Sequence, residues 1–285
     1  MLRIALPNKG RLAEDVRDLF ADAGLEIRAR GERALTASLG GEFEAIFVRS
    51  QDIAELVADG AADVGVTGWD LVQEAGRPLH ALLDLEFGRC RLVLAAREDA
   101  AITRLEELPP RPRVATSFPR CTAAWFEARS LPVEVVTVSG AAEVAPHLGI
   151  ADAVVDLTST GSTLKINGLR EVATLLESSA RLVARPGLSG ARATALAGLE
   201  DALLSVVRAR GKRYLMVNVP RAALDQVREV LPGLNGPTVL ELHGGGPLVA
   251  VHAVVGEAAL YRTIGALKAL GGEGILVTRI ERLLP

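Results

Sequence analysis

Cysteine is nearly absent from this 285-residue chain, which carries only Cys90 and Cys121. Two thiols allow one bridge at most, so the disulfide framework of a small secreted domain is excluded, and reduced thiols are expected. The spacings of structural zinc are missing as well: there is no C-x-x-C and no H-x-x-x-H among His80, His147, His243 and His252. No run of about 18 uninterrupted apolar residues occurs, so no membrane-spanning helix is predicted. The opening Met-Leu-Arg-Ile-Ala-Leu-Pro reads as a short strand and a loop, without the apolar core of a signal peptide. A cytoplasmic location is therefore expected. Nor is there an excess of positive charge: 32 Lys and Arg face 35 Asp and Glu, for a net charge of -3. Nucleic-acid binding draws its affinity from a cationic surface, so neither nucleic acid nor membrane is an expected partner.

What remains is a composition that packs, 49% hydrophobic and 24% charged. The length suggests two or more domains at roughly 150 residues each. Strand and helix signals alternate along the first part. Arg3 to Leu6, Ala45 to Val48 and Val64 to Thr67 read as strands, with helices over Leu12 to Ala23 and Ile53 to Asp59, the latter capped by Asp52. A second α/β block follows. Its strands are Arg91 to Ala96, Arg113 to Ala115, Glu134 to Val138 and Ala153 to Leu157, and its helices Cys121 to Ala128 and Ala141 to Leu148. A strand at Leu182 to Ala184 returns to the first block, so two crossings join the blocks as in a hinged cleft.

After a long helix over Ala191 to Arg210, the pattern becomes βαββαβ, the order of a ferredoxin-like domain. The expected division is lobe I at 1–89 with 179–190, lobe II at 90–178, a connecting helix at 191–211 and a third domain at 212–285.

The sharpest segment is Asp156-Leu157-Thr158-Ser159-Thr160-Gly161-Ser162-Thr163-Leu164. A buried strand ends on a carboxylate, and a loop of small hydroxyl residues and glycine follows. Such a loop lets backbone N–H groups and hydroxyls close on an anion, while the carboxylate can accept from a ribose diol. The same run is also compatible with a plain surface loop. It is neither a Walker A nor a G-x-G-x-x-G fingerprint. Lys9 and Arg11, just after the first strand, are candidates for neutralising phosphates or are a solvated pair. Arg49 is a further phosphate candidate. Asp70 is a candidate acceptor from a base or sugar, or a helix cap.

The stretch from Glu143 through Gly149 and Asp152 to Ser159-Thr160-Gly161-Ser162-Thr163-Leu164 closely resembles the signature of the ATP phosphoribosyltransferase family. Pro7-Asn8-Lys9-Gly10-Arg11-Leu12, Val64-Gly65-Val66-Thr67-Gly68-Trp69-Asp70 and Phe87-Gly88-Arg89-Cys90-Arg91-Leu92 are similar to other parts of it. The resemblance implies two lobes like those of periplasmic binding proteins and an ACT-like regulatory tail. It implies transfer of a phosphoribosyl group from 5-phosphoribosyl 1-pyrophosphate to N1 of ATP, with Mg2+. By that resemblance Ser159, Thr160, Gly161, Ser162 and Thr163 hold the 5-phosphate, and Asp156 the ribose hydroxyls, with Glu143 beside it. Lys9, Arg11 and Asp70 match positions that line the ATP or AMP side, where Arg49, near another strand end, is added as a phosphate candidate from its own place in the sequence. Histidine would bind the tail at Asn218, Thr238 and Gly274, where Asn218 replaces the Asp of some relatives. Inhibition by histidine and AMP, and assembly from dimers to hexamers, are also implied. Two other readings remain: a non-catalytic two-lobed small-molecule binding protein, and a regulatory subunit.

Overall fold

The computed structural model describes residues 1–29, 31 and 34–284. It forms two compact units, Met1–Asp201 and a second from Ala202 on. The first unit begins with β1 (Leu2–Pro7), α1 (Arg11–Asp22), β2 (Ile27–Ala29), β3 (Thr36–Leu39), β4 (Phe43–Val48), α2 (Ile53–Ala58), β5 (Val64–Gly68), α3 (Trp69–Ala75) and β6 (His80–Asp84). It continues with β7 (Cys90–Arg97), β8 (Arg113–Thr116), α4 (Pro119–Glu127), β9 (Glu134–Thr137), β10 (Ala153–Thr158), α5 (Ser162–Ile166), β11 (Leu169–Ser178), β12 (Ala180–Ala184) and α6 (Gly190–Ala209), whose last residues belong to the second unit.

These strands build two sheets, hence two α/β lobes. One sheet runs β2-β3-β4-β1-β5-β12-β6 and the other β11-β7-β10-β8-β9. In the first, β1 lies parallel to both β4 and β5 and is buried along nearly its whole length, as a central strand covered on both faces must be. Helix α1 packs its stripe of Ala13, Val16, Leu19 and Phe20 inward. In the second sheet, β10 pairs antiparallel to β7 and parallel to β8. Leu92, Leu94, Val114, Phe126, Ala153 and Val155 fill that lobe's core.

The chain passes between the sheets twice, from β6 to β7 and from β11 to β12. The second passage is Ser179 alone. Trp69 N–H donates to the Ser179 carbonyl at 2.9 Å, and Ala180 N–H to that of Phe87 at 2.9 Å, so the two passages lie side by side.

The second unit has β13 (Lys212–Pro220), α7 (Leu224–Val230), β14 (Thr238–Glu241), β15 (Leu248–Gly256), α8 (Leu260–Ala269) and β16 (Glu273–Arg279). The sheet order β14-β15-β13-β16 is antiparallel throughout, the ferredoxin-like arrangement that the βαββαβ pattern predicts. Leu215, Val217, Val219, Val249 and Val251 pack one face against Val227, Leu231 and Leu267 of the helical segments. Alternation puts Tyr214, Met216, Asn218 and His252 on the other face.

Three local expectations are corrected. The helix expected over 141–148 is a single 3-10 turn at Ala142–Val144 followed by turns, because Ala141 sits at φ 49° and Pro146 has no N–H to donate. Asp52 precedes α2 but its side chain makes no cap, since a 3-10 turn over Ser50–Asp52 already holds it in a helical conformation. Strand β11 was not anticipated: its register shifts at Glu171/Ala173 and Thr174/Leu176, and bulges erase the period of two. No helix among the described residues is long and apolar enough to cross a membrane.

Candidate active site

The cradle is built by the end of β10. Val155 pairs with Thr116 of β8, and Asp156 with Val93 of β7, so the carboxylate emerges from the middle of a sheet. The loop then closes on itself. Gly161 N–H donates to Thr158 Oγ1 at 2.8 Å, Thr160 Oγ1 and Ser162 Oγ share a hydrogen bond of 2.8 Å, and Lys165 N–H returns to the Gly161 carbonyl at 3.1 Å. Gly161 has φ 78°, a left-handed turn that only glycine adopts without strain, and it precedes α5. Ser159, Thr160, Ser162 and Thr163 are exposed, which leaves their hydroxyls facing solvent at the mouth.

Asp156 is half-buried, and its one hydrogen-bond donor is the N–H of Leu157, 2.8 Å from Oδ1. Burial pushes its carboxyl above the ordinary 3.8 and the charge of Glu143 adds to that, against the pull of the Leu157 N–H. Glu143 sits half-buried in the turn before the strand, so the structure brings these two predicted residues together electrostatically. A carboxylate in this setting is suited to accept from a sugar diol and to stabilise positive charge growing on a sugar ring.

In lobe I the predicted residues share one edge of the sheet. Lys9 and Arg11 follow β1, Arg49 follows β4 and Asp70 follows β5, all at the carboxyl ends of parallel strands, where open α/β sheets bind ligands. Asn8 N–H donates to the Val48 carbonyl at 2.8 Å, and Thr67 Oγ1 to that of Ser50 at 2.8 Å, which lock those three ends together. Lys9, Arg11 and Arg49 are exposed. Asp70 is different. It is 4% exposed, receives the Ser178 hydroxyl at 2.5 Å, and its own N–H donates back to Ser178 Oγ at 3.0 Å. Burial raises its carboxyl, opposed by Ser178 and nearby N–H groups. The structure thus ties Asp70, at the start of α3, to the passage between lobes through Ser178.

Sequence reasoning missed the residues around that passage. A cavity of about 320 Å3 is lined by Ser159 of the cradle together with Asp84, Arg89, Arg91, Ser178 and Arg181, among others. Arg91 pairs with Glu171 at 2.5 Å and Arg181 with Asp84 at 3.0 Å, while the buried Nε of Arg181 has no partner. Two of the three guanidinium groups beside Ser159 are thus already paired with carboxylates, which leaves Arg89 as the lining arginine with charge to offer an anion there. The Arg-Cys-Arg run at 89–91 was the only local signal. The thiols are free; burial raises Cys90, and burial with Glu74 pushes Cys121 up to about 12. Both are therefore poor nucleophiles at neutral pH.

In the tail, Asn218 of β13 and Gly274 of β16 are neighbours: a Cβ on Gly274 would lie 3.3 Å from Asn218 Nδ2. Thr238 opens β14 opposite His252, on the same sheet face but two strands from β13. At about 4.8 Å per strand, and level with Met216, it is about 12 Å from Asn218, so one tail brings two of the three predicted effector residues together.

The chain was compared with known proteins. The family model described as ATP phosphoribosyltransferase matches residues 49–203, and that of the HisG C-terminal domain matches residues 209–282. An ATP phosphoribosyltransferase of Gemmatimonas aurantiaca is 68% identical over 292 residues, covering 100% of both chains. One from Methanocella arvoryzae is 47% identical over 285 residues, again covering 100% of both. Among solved structures, the ATP phosphoribosyl transferase (HisG:HisZ) complex from Thermotoga maritima is similar with a TM-score of 0.64 at 26% identity, over 73% of this chain and 99% of that one.

Proposed function

The chain belongs to the ATP phosphoribosyltransferase family, and from that premise we propose how its residues divide the work. The reaction moves the phosphoribosyl group of 5-phosphoribosyl 1-pyrophosphate to N1 of ATP, giving N1-(5-phosphoribosyl)-ATP and pyrophosphate in histidine biosynthesis. The observation that carries the assignment of roles is the cradle: a lone carboxylate at the end of a buried strand, followed by a closed loop of hydroxyls.

Ser159, Thr160, Gly161, Ser162 and Thr163 bind the 5-phosphate through hydroxyls and N–H groups. Asp156 accepts from the ribose hydroxyls and stabilises charge at C1 as the bond to pyrophosphate stretches. Glu143 reinforces that negative field. Lys9, Arg11 and Arg49 hold the phosphates on the lobe I side, and the same place takes AMP as an inhibitor. Asp70 takes part on the same ATP or AMP side, accepting from base or sugar at the start of α3. Adenine N1 has a free lone pair, so no general base is required, and the rate comes from positioning and electrostatics.

Mg2+ fits these residues. Among the described residues no group of three or more His, Cys, Asp or Glu forms a metal cage. A hard cation carried mainly by substrate oxygens and water needs only one or two carboxylates, which Asp156 and Glu143 offer. When bound, Mg2+ neutralises charge on the departing pyrophosphate.

We assign 1–89 with 179–190 and 90–178 as the two catalytic lobes, 191–211 as a connecting helix and 212–285 as the regulatory domain. Histidine binds there through Asn218, Gly274 and Thr238. The spacing of Thr238 from the other two is suited to a site completed across paired tails, as in a dimer that builds up to a hexamer. The protein acts in the cytoplasm. Purified protein with ATP, 5-phosphoribosyl 1-pyrophosphate, Mg2+ and pyrophosphatase should form product by ultraviolet absorbance, and histidine should suppress it. Product insensitive to histidine removes the regulatory reading. No product, with ligand still bound, leaves a binding protein.

A further inference from the structure

We propose that Glu74 is a positioning residue for phosphoribosyl transfer: it ties the lobes together by capping a helix of lobe II from lobe I. Glu74 lies on α3, in lobe I. Its Oε1 accepts the N–H of Arg120 and its Oε2 that of Cys121, each at 2.9 Å, and both donors belong to the first turn of α4 in lobe II. A helix normally satisfies these orphan N–H groups with a Ser, Thr, Asp or Asn at its own N-cap. Here that position is Phe118, whose side chain makes no cap, and Pro119 follows it. The missing cap comes instead from a carboxylate 46 residues upstream of Arg120, on a helix of the other lobe. A negative charge at a helix N-terminus also has the favourable sign.

Contacts around it are of the same kind. Cys121 Sγ lies 4.0 Å from the Asp70 carbonyl. Arg120 folds over Gly76 at the end of α3, so closely that a Cβ there would meet its Cζ at 2.0 Å. The link leads to the chemistry on both sides. Phe118 N–H donates to Thr116 Oγ1 at 2.9 Å, and Thr116 pairs with Val155, the residue before Asp156. On the other side, α3 follows β5, the strand beside β1, which ends next to Lys9. Glu74 therefore fixes the cradle relative to the exposed cations of lobe I. This rests on the proposed reading, in which sugar and nucleotide are held by different lobes.

The test uses full-length Glu74→Ala and Glu74→Gln with three readouts: amide hydrogen exchange at Arg120 and Cys121, affinity for 5-phosphoribosyl 1-pyrophosphate alone, and kcat. In Glu74→Ala the two amides should exchange faster and kcat should fall about 10- to 100-fold, the scale of a misplaced reactant pair. Affinity for the sugar phosphate alone should stay within about twofold, since one lobe supplies its cradle. Glu74→Gln, which keeps one acceptor, should recover part of both losses. Unchanged exchange at these amides, or kcat and sugar-phosphate affinity falling together, would overturn the proposal. If the wild type itself shows no turnover, the reading of the cleft fails on its own, and the proposal falls with it, whatever the amides do.

Discussion

Asp63, at the base of lobe I, and Asp156, at the mouth of lobe II, are aspartates withdrawn from solvent to different depths and tuned in opposite directions. Asp63 is 5% exposed, and burial alone would raise its carboxyl, but Arg185 at 2.8 Å, the Arg3 N–H at 3.1 Å and Arg192 at 3.3 Å hold it below 3.8. Those partners come from three separate segments, so this carboxylate ties together β1, β12 and the start of α6. Asp156 has Glu143 nearby and, among the described residues, no cation paired with it, and its carboxyl is raised. One acid is satisfied by the protein. The other has a single backbone donor and bears its desolvation, the setting expected of a carboxylate that meets a ligand.

The largest expected effect tests the first half of that contrast. Asp63→Ala strands two guanidinium groups and should cost about 3–5 kcal/mol in denaturant unfolding, with kcat per folded molecule nearly unchanged. Comparable loss of kcat in folded protein would erase the distinction. Asp156→Asn should do the reverse: kcat falls by about 10²- to 10³-fold while the unfolding midpoint holds or rises slightly. Near-normal turnover in that variant removes Asp156 from the mechanism.

Acid titration sharpens the comparison, because the signs differ. The stabilisation from Asp63 is fully present above the unfolded value near 3.8 and is lost as pH falls through the lower folded value. For Asp156 the raised folded value means that its contribution is present below 3.8 and lost as pH rises through it. Stability of Asp63→Asn should therefore fall less on acidification than that of the wild type, and that of Asp156→Asn should fall more. The acid limb of turnover should lie above 3.8 if Asp156 must be ionised.

Smaller effects follow at the loop and the tail. Gly161→Ala places a side chain in open space but at φ 78°, so only backbone strain opposes it, about 1–2 kcal/mol. Weaker sugar-phosphate binding by about tenfold is expected, measured by calorimetry. Asn218→Asp should tighten histidine inhibition by up to about 1 kcal/mol, the scale of an exposed ion pair. An unchanged half-inhibiting concentration would take the Asn218 side chain out of the effector site.

Those residues were legible because their signals are local. The cradle is one uninterrupted run, Lys9 and Arg11 follow a clear strand, and the tail repeats a simple βαββαβ rhythm. Residues such as Asp84, Arg91, Ser178 and Arg181 meet only after both lobes have folded, so no window of sequence contains them. The same holds for Glu74, whose capping role is set by a helix on another sheet. Asp70 could be singled out from its place after β5, but its hydroxyl partner Ser178 lies 108 positions away, and that partner decides its surroundings. Strand β11 was hidden by its own bulges.

The single-residue passage at Ser179 also dictates an order of assembly. Lobe II is one continuous stretch, whereas lobe I lacks β12 until the chain has gone out and come back, and β12 belongs between β5 and β6, inside the sheet. During synthesis the later lobe can close on its own residues while the earlier one waits with a gap in its sheet. On the ribosome the first-made lobe is therefore finished after the second, once β12 has emerged and while the tail is still being made, and until then its unpaired strand edges are the part that a chaperone would have to shield.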